Sequence, residues 1–204
     1  MSKVDKFYSL IPLADFKAVL SVDDRDDNLS RYCLLTATHT IEQYCHRRLL
    51  HKKRFERIEY YGELFLPLRE YPVSKVLAVY LSGNREWGVG GGEILEPDFY
   101  HVVPDCGAFE DIPFSLSLSR ALQRYPELTA FKVVYIAGYS TNQTPADLSS
   151  ACLELAAWNM NRYRGRRIGM TGNVRGGGKD GEHFEMSMPE NVRQLLEPYR
   201  RKII

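Results

Sequence analysis

The sequence predicts an α+β fold: a helical bundle of two long helices plus shorter terminal helices, with a β-rich insertion between the long helices. Three observations carry this. Two apolar stripes at three- and four-residue steps lie far apart in the chain, and a block of roughly 80 residues between them switches to a two-residue period. Composition agrees with a globular chain, since 44% of the 204 residues are apolar and 26% charged. The stretch 1–53 is read as N-terminal helices, 54–139 as the β-rich insertion and 144–164 as the second long helix. A flexible Gly-rich loop (165–186) and a C-terminal helix (187–204) complete a single domain.

The elements follow in order. A short amphipathic stretch has Pro12 at its first helical turn and Phe16, Val19 and Leu20 as apolar positions. The acidic cluster Asp23-Asp24-Arg25-Asp26-Asp27-Asn28 precedes a helix of about five turns, where its side chains would cap free N–H groups and oppose the helix dipole. That helix is expected to bury Leu29, Tyr32, Cys33, Thr36, Ala37, Thr40, Ile41, Tyr44 and Cys45. Strands are expected at Phe55–Tyr61, Leu64–Leu66, Val76–Leu81, Phe99–Val103 and Lys132–Ala137. Both alternate sets between Lys75 and Leu81 are apolar, so this strand is expected to be buried on both faces.

Thr144 as N-cap, Pro145 at the first helical position and Asp147 three residues after the cap then start the second long helix. Its stripe is Leu148, Ala151, Cys152, Leu155, Trp158 and Asn159, and Gly165 ends it. Ser187-Met188-Pro189-Glu190 opens the last helix, with Val192, Leu195, Leu196 and Tyr199 apolar.

The same residues exclude several function classes. No run approaches the roughly 18 apolar residues of a membrane span, and the first residues lack a secretory signal, so a soluble intracellular protein without a membrane partner is expected. Cys33, Cys45, Cys106 and Cys152 form no CxxC pair and read as reduced thiols, three of them on apolar helical faces. In the glycine segment, Lys179 follows Gly178, but Asn173 stands where the first P-loop glycine belongs and Asp180 where the metal-binding hydroxyl belongs. Gly88–Gly92 lacks phosphate-loop spacing. His39 and Cys45 are six apart, point in different directions on a helix, and leave His39 to solvent. No HExxH or GxSxG occurs, and the paired aspartates belong to a helix start. No catalytic residue, cofactor site or metal site is assigned, and the chain is not expected to be an enzyme.

Charge placement is what remains. The net charge of +1 hides basic stretches at 46–57 and 162–167 and an acidic cluster near residue 25. The total reads as a balance between faces, with the basic stretches as candidate phosphate- or acid-facing surfaces.

An ordered set of signals has a counterpart. Val22-Asp23-Asp24-Arg25-Asp26-Asp27 leads into Ile41-Glu42-Gln43-Tyr44-Cys45-His46-Arg47-Arg48. The β block opens with Leu66-Pro67-Leu68 and Tyr71-Pro72-Val73-Ser74-Lys75-Val76, and closes with Val133-Val134-Tyr135-Ile136-Ala137-Gly138-Tyr139. Pro145-Ala146-Asp147-Leu148, Ala151-Cys152-Leu153-Glu154-Leu155, Arg162–Gly169, Met188-Pro189-Glu190 and Pro198-Tyr199-Arg200 follow. From about residue 10 to 201 the chain resembles the head–tail connector (adaptor, or head-completion) proteins of tailed bacteriophages and prophages.

That resemblance implies a structural virion protein made in the bacterial host cytoplasm. It implies a homo-oligomeric ring under the portal that extends the DNA channel and offers a docking surface for stopper or tail proteins. Packaged DNA passes without sequence-specific binding. Arg162, Arg164, Arg166 and Arg167, with Arg200 and Arg201, are the interface candidates. A nucleic-acid-binding module using 46–57 and 162–167 is the alternative, and an enzyme with a site built from scattered residues is the third reading.

Overall fold

The computed structural model describes residues 9–82, 93–104, 113–120, 122, 130–165 and 188–201. It is mixed helix and sheet, α+β in class, and divides into two compact units. The expected Gly-rich loop at 165–186 lies, but for Gly165, outside the described residues, as do Gly88–Gly92 and Cys106. No helix among the described residues is long and apolar enough to cross a membrane.

The first unit comprises residues 1–47 and 140–204. Its helices are α1 (Leu13–Leu20), α2 (Asp27–Tyr44), α3 (Ala146–Arg164) and α4 (Glu190–Leu196). α1 packs on α2, α2 on α3, and α3 on α4. α2 and α3 run antiparallel, since Tyr32 meets Tyr163 near one end and Thr38 Oγ1 lies 3.8 Å from Cys152 Sγ further along. The seam uses small side chains: Ser30, Cys33, Ala37 and Thr38 from α2, and Ala151, Cys152, Ala156 and Asn159 from α3, all buried. As expected, Cys33, Cys45 and Cys152 are buried free thiols, and burial pushes each up to about 11.

Three expectations about the helices are corrected. The buried face of α2 is turned from the expected one: Ser30, Leu34, Thr38 and Glu42 join Cys33, Ala37 and Ile41, while Tyr32 is 55% exposed. Ordinary Ser and Thr hydroxyls near α1 and α3 fill this face, with Thr38 accepting from Leu10 N–H. On α1, Val19 faces solvent and only Phe16 is buried. On α3, Trp158 is half-buried and Met160 takes part in the core instead.

The helix starts differ too. The acidic cluster forms a 3-10 turn at Asp24–Asp26 before α2, and no side-chain cap bond is made by Asp23 or Asp26. Pro12, Pro145 and Pro189 occupy the N-cap positions of α1, α3 and α4 in extended backbone. Thr144 stands one residue before the cap, and its hydroxyl donates to the Leu10 and Ser140 carbonyls. Gly165 does end α3, but with φ −73° it uses no left-handed turn.

The second unit comprises residues 48–139. Its strands are β1 (Lys52–Glu59), β2 (Phe65–Pro67), β3 (Val73–Ser82), β4 (Tyr100–Pro104), β5 (Pro113–Leu118) and β6 (Ala130–Ala137). Two antiparallel sheets result, in the orders β1-β6-β3 and β2-β5-β4. The core between them contains Leu66, Leu116 and Leu118 with Val79, Phe131, Val133 and Tyr135. β5 is an element that the sequence reading does not include, although Leu116 and Leu118 alternate with serines at the two-residue period.

β3 corrects the two-face burial expectation. It is an outer strand of the first sheet, with bulges around Ser74 and Leu77, and Leu77 is 41% exposed. The central strand is β6, whose alternate residues Phe131, Val133, Tyr135 and Ala137 are buried.

Candidate functional site

The interface candidates sit on elements whose neighbours decide how much charge each can offer. At the α3 C-terminus, the Arg164 guanidinium donates to the Asp26 carboxylate at the start of α2. The Arg162 guanidinium lies 4.6 Å from the centre of the Trp158 ring, one helical turn back. Arg166 and Arg167 lie outside the described residues.

Arg200 and Arg201 belong to the opposite end of α2. The Tyr44 hydroxyl donates to Glu197 at 3.0 Å, the Arg200 guanidinium sits 5.6 Å from the Tyr44 ring centre, and Arg201 N–H donates to the Cys45 carbonyl at 2.8 Å. These contacts fasten the C-terminal segment across the last turn of α2, where cations meet the negative end of the helix dipole. An 18-residue helix is about 27 Å long, so Arg164 and Arg200 mark two separate places.

The acidic cluster is also taken up within the chain. Lys17 donates to both Asp24 and Asp27, which raises the lysine pKa and lowers that of Asp24. With Asp26 held by Arg164, three of its carboxylates have cation partners in their own unit. The cluster near residue 25 thus shares part of its charge with cations of its own unit, while the Asp24 side chain stays 97% exposed.

In the second unit, the basic stretch is split by the strand period. Arg54, Glu56 and Ile58 are half-buried on one face of β1, and Lys53, Phe55, Arg57 and Glu59 are exposed on the other. Arg54 Nη2 donates to the Leu50 carbonyl at 3.1 Å. Both Glu56 oxygens accept from Arg69 N–H at 3.1 Å, and Glu70 N–H donates to the Tyr135 hydroxyl at 3.2 Å. Burial is the largest influence on Glu56 and pushes its pKa up; it pushes Tyr135 above the tyrosine range as well. Glu56 thus ties a turn to the sheet, both of its oxygens accepting from the one Arg69 backbone amide.

The exposed side of this sheet combines cations with apolar groups. Register places Phe55 opposite Val134, and Val134 opposite Ala78. Around them stand Lys53, Arg57, Lys75 and Lys132, with Lys132 5.6 Å from the Tyr80 ring centre. The 77% exposure of Phe55 is unusual for a side chain of that size. Only the position of Phe55 one residue from Arg54 and Glu56, in a charged strand, signals this in the sequence; the sequence reading does not select it.

His39 is exposed and lies 3.2 Å from Gln43. Among the described residues no group of three His, Cys, Asp or Glu side chains is arranged to hold a metal ion.

No family model matches the sequence, and no curated protein matches it. Solved structures with chains of similar fold include three of gene transfer agent (GTA) particles. In the neck of the empty GTA particle with C6 symmetry, a chain matches with a TM-score of 0.62 and 18% identity. In the neck of the native GTA particle with C12 symmetry, the TM-score is 0.55 and the identity 21%; in the virion of the native particle they are 0.58 and 18%. Each match covers 96% of this chain and 91% of the other. Nearly the whole chain therefore shares its fold with chains from the necks of gene transfer agent particles, which supports the head–tail connector resemblance carried by the sequence.

Proposed function

We propose that this protein is a structural neck component, an adaptor between the head and tail of a tailed phage, prophage or related particle. It assembles as a homo-oligomeric ring under the portal, extends the DNA channel and gives the stopper or tail proteins a surface to dock on. The observation that carries this reading is the fold match over 96% of the chain to chains of necks with C6 and C12 symmetry. Rotational symmetry of that kind is what a subunit with two different, mutually complementary faces produces.

In this reading residues 1–47 and 140–204 are the helical bundle of a connector and residues 48–139 its β-rich insertion. The work is done by surfaces, with no chemical step. Arg162 and Arg164 at one end of α2, and Arg200 and Arg201 at the other, then belong to separate contacts, with portal, neighbour or channel.

Mixing the purified protein with the portal protein of the particle it comes from, followed by electron microscopy, tests the proposal. Rings seated on the portal are the expected result. No association at any salt concentration overturns it.

A further inference from the structure

The two edges of the first sheet carry opposite charge. β1 forms one edge, with β6 its only strand partner among the described residues. It reads Lys52-Lys53-Arg54-Phe55-Glu56-Arg57-Ile58-Glu59: four cations and two carboxylates, of which Glu56 is turned onto the Arg69 amide. At the other edge, residues 93–95 add alongside β3. Leu81 N–H donates to the Glu93 carbonyl and Leu95 N–H to the Val79 carbonyl, each at 2.8 Å, with Ile94 bridged to Tyr80. This strip continues as Glu93-Ile94-Leu95-Glu96-Pro97-Asp98, three acids without a base, and all three acids are exposed. Each edge also presents a large apolar side chain to water: Phe55 is 77% exposed and Ile94 62%.

We propose that copies of this chain associate head to tail through this sheet, the β1 edge of one receiving the 93–98 strip of the next. Two copies meeting through identical edges would bring like charges together, basic on basic or acidic on acidic. Opposite edges meeting sets the basic edge against the acidic strip and covers Phe55 with Ile94. By the two-residue period Glu96 shares the face of Ile94 and meets Lys53 or Arg57, while Glu93 adds its charge from the other face. Such a contact is heterologous: it leaves the growing row with one free edge of each kind and so propagates until the ring closes. The charges set partner and register, and the apolar pair adds area removed from water. A strand edge with a bare aromatic is otherwise an aggregation liability, and a defined neighbour removes it. The inference rests on the ring reading above and names the surfaces that meet.

The test uses the full chain with Cys106→Ser, because the three described cysteines are buried. Phe55→Cys combined with Ile94→Cys is expected, on mild oxidation, to give a ladder of disulfide-linked species beyond the dimer. Each single variant stops at the dimer. Lys53→Glu with Arg57→Glu lowers the yield beyond the dimer about tenfold at low salt, and adding Glu93→Lys with Glu96→Lys restores it. A double-cysteine ladder no longer than that of the single variants, or a charge swap that fails to rescue, overturns the edge assignment.

Electron microscopy with the portal separates the two failures. Portal-seated rings that survive Lys53→Glu with Arg57→Glu overturn the edge contact and leave the ring reading standing. A ladder without portal-seated rings supports the edge contact and overturns the neck reading. Neither ladder nor rings overturns both.

Discussion

Gly138 is held where no side chain fits. Its φ is +99°, and a Cβ built there would lie 2.5 Å from the Leu50 carbonyl oxygen and 2.6 Å from that of Leu49. Its N–H donates to Pro72 at 3.0 Å, so the backbone cannot swing away without losing a bond. Gly138→Ala is expected to cost about 2–4 kcal/mol, read by denaturant unfolding of the full chain; an unchanged midpoint would refute the crowding argument. Glu56 gives a pH dependence with a definite sign. Burial raises its folded pKa above the ordinary 4.5, so the favourable contribution of its protonated form is whole below that value. The contribution is lost as pH rises through the folded pKa. Glu56→Gln keeps an oxygen for the Arg69 amide and cannot ionise. Its melting temperature should therefore exceed that of the unaltered chain at pH 8, by about 2–4 °C for each kcal/mol, with the gap closing toward pH 4.5. A gap independent of pH would show that ionisation is not the cause.

Small buried residues govern how closely α2 and α3 approach. Ala37 and Ala156 are fully buried, with Ala151 and Cys152 beside the latter on the same face of α3. Ala156→Leu should overpack this seam and cost about 1–3 kcal/mol. Arg164→Ala removes a partner of Asp26 whose side chain is 38% exposed, in a pair open to solvent, and should cost less than about 1 kcal/mol. Thermal unfolding of the two variants side by side checks the order, and a reversed order would mean that the ion pair, not the seam, sets the helix packing. The same contrast explains what the sequence makes legible. Cys33, Ala37, Ile41, Leu148, Ala151, Cys152 and Leu155 follow from local periodicity, and all are buried. The partners of the aspartates do not follow, because Arg164 is 138 residues from Asp26 and only the antiparallel packing of α2 and α3 brings them together. Strand position fails for the same reason: nothing within Val73–Ser82 encodes that β6 pairs on one side and that a strip containing Ile94 follows on the other.

A net charge of +1 for the whole chain conceals two different arrangements. In residues 1–47 and 140–204 Lys17 and Arg164 meet the acidic cluster as intrachain pairs, whereas in residues 48–139 the basic stretch of β1 and the acidic strip 93–98 lie at opposite edges of one sheet. The second arrangement can serve a neighbour only if the unit that carries it keeps its shape, and its construction bears on that. The core residues from Tyr60 to Ala137 all come from within 48–139. Its entry and exit are stitched together: Tyr139 N–H donates to the Leu49 carbonyl at 2.7 Å, His51 N–H donates to the Tyr139 carbonyl at 3.0 Å, and Leu50 bridges to Tyr139. A segment with its own core and adjoining ends has what it needs to fold on its own. Residues 48–139 expressed alone should therefore give dispersed amide signals and a cooperative unfolding transition, although a unit this small will be only marginally stable. Glu56→Gln should shift that transition as it shifts the full chain's, because Arg69 and Tyr135 travel with it. Collapsed amide signals from the excised segment would show that the sheets depend on the helices to form.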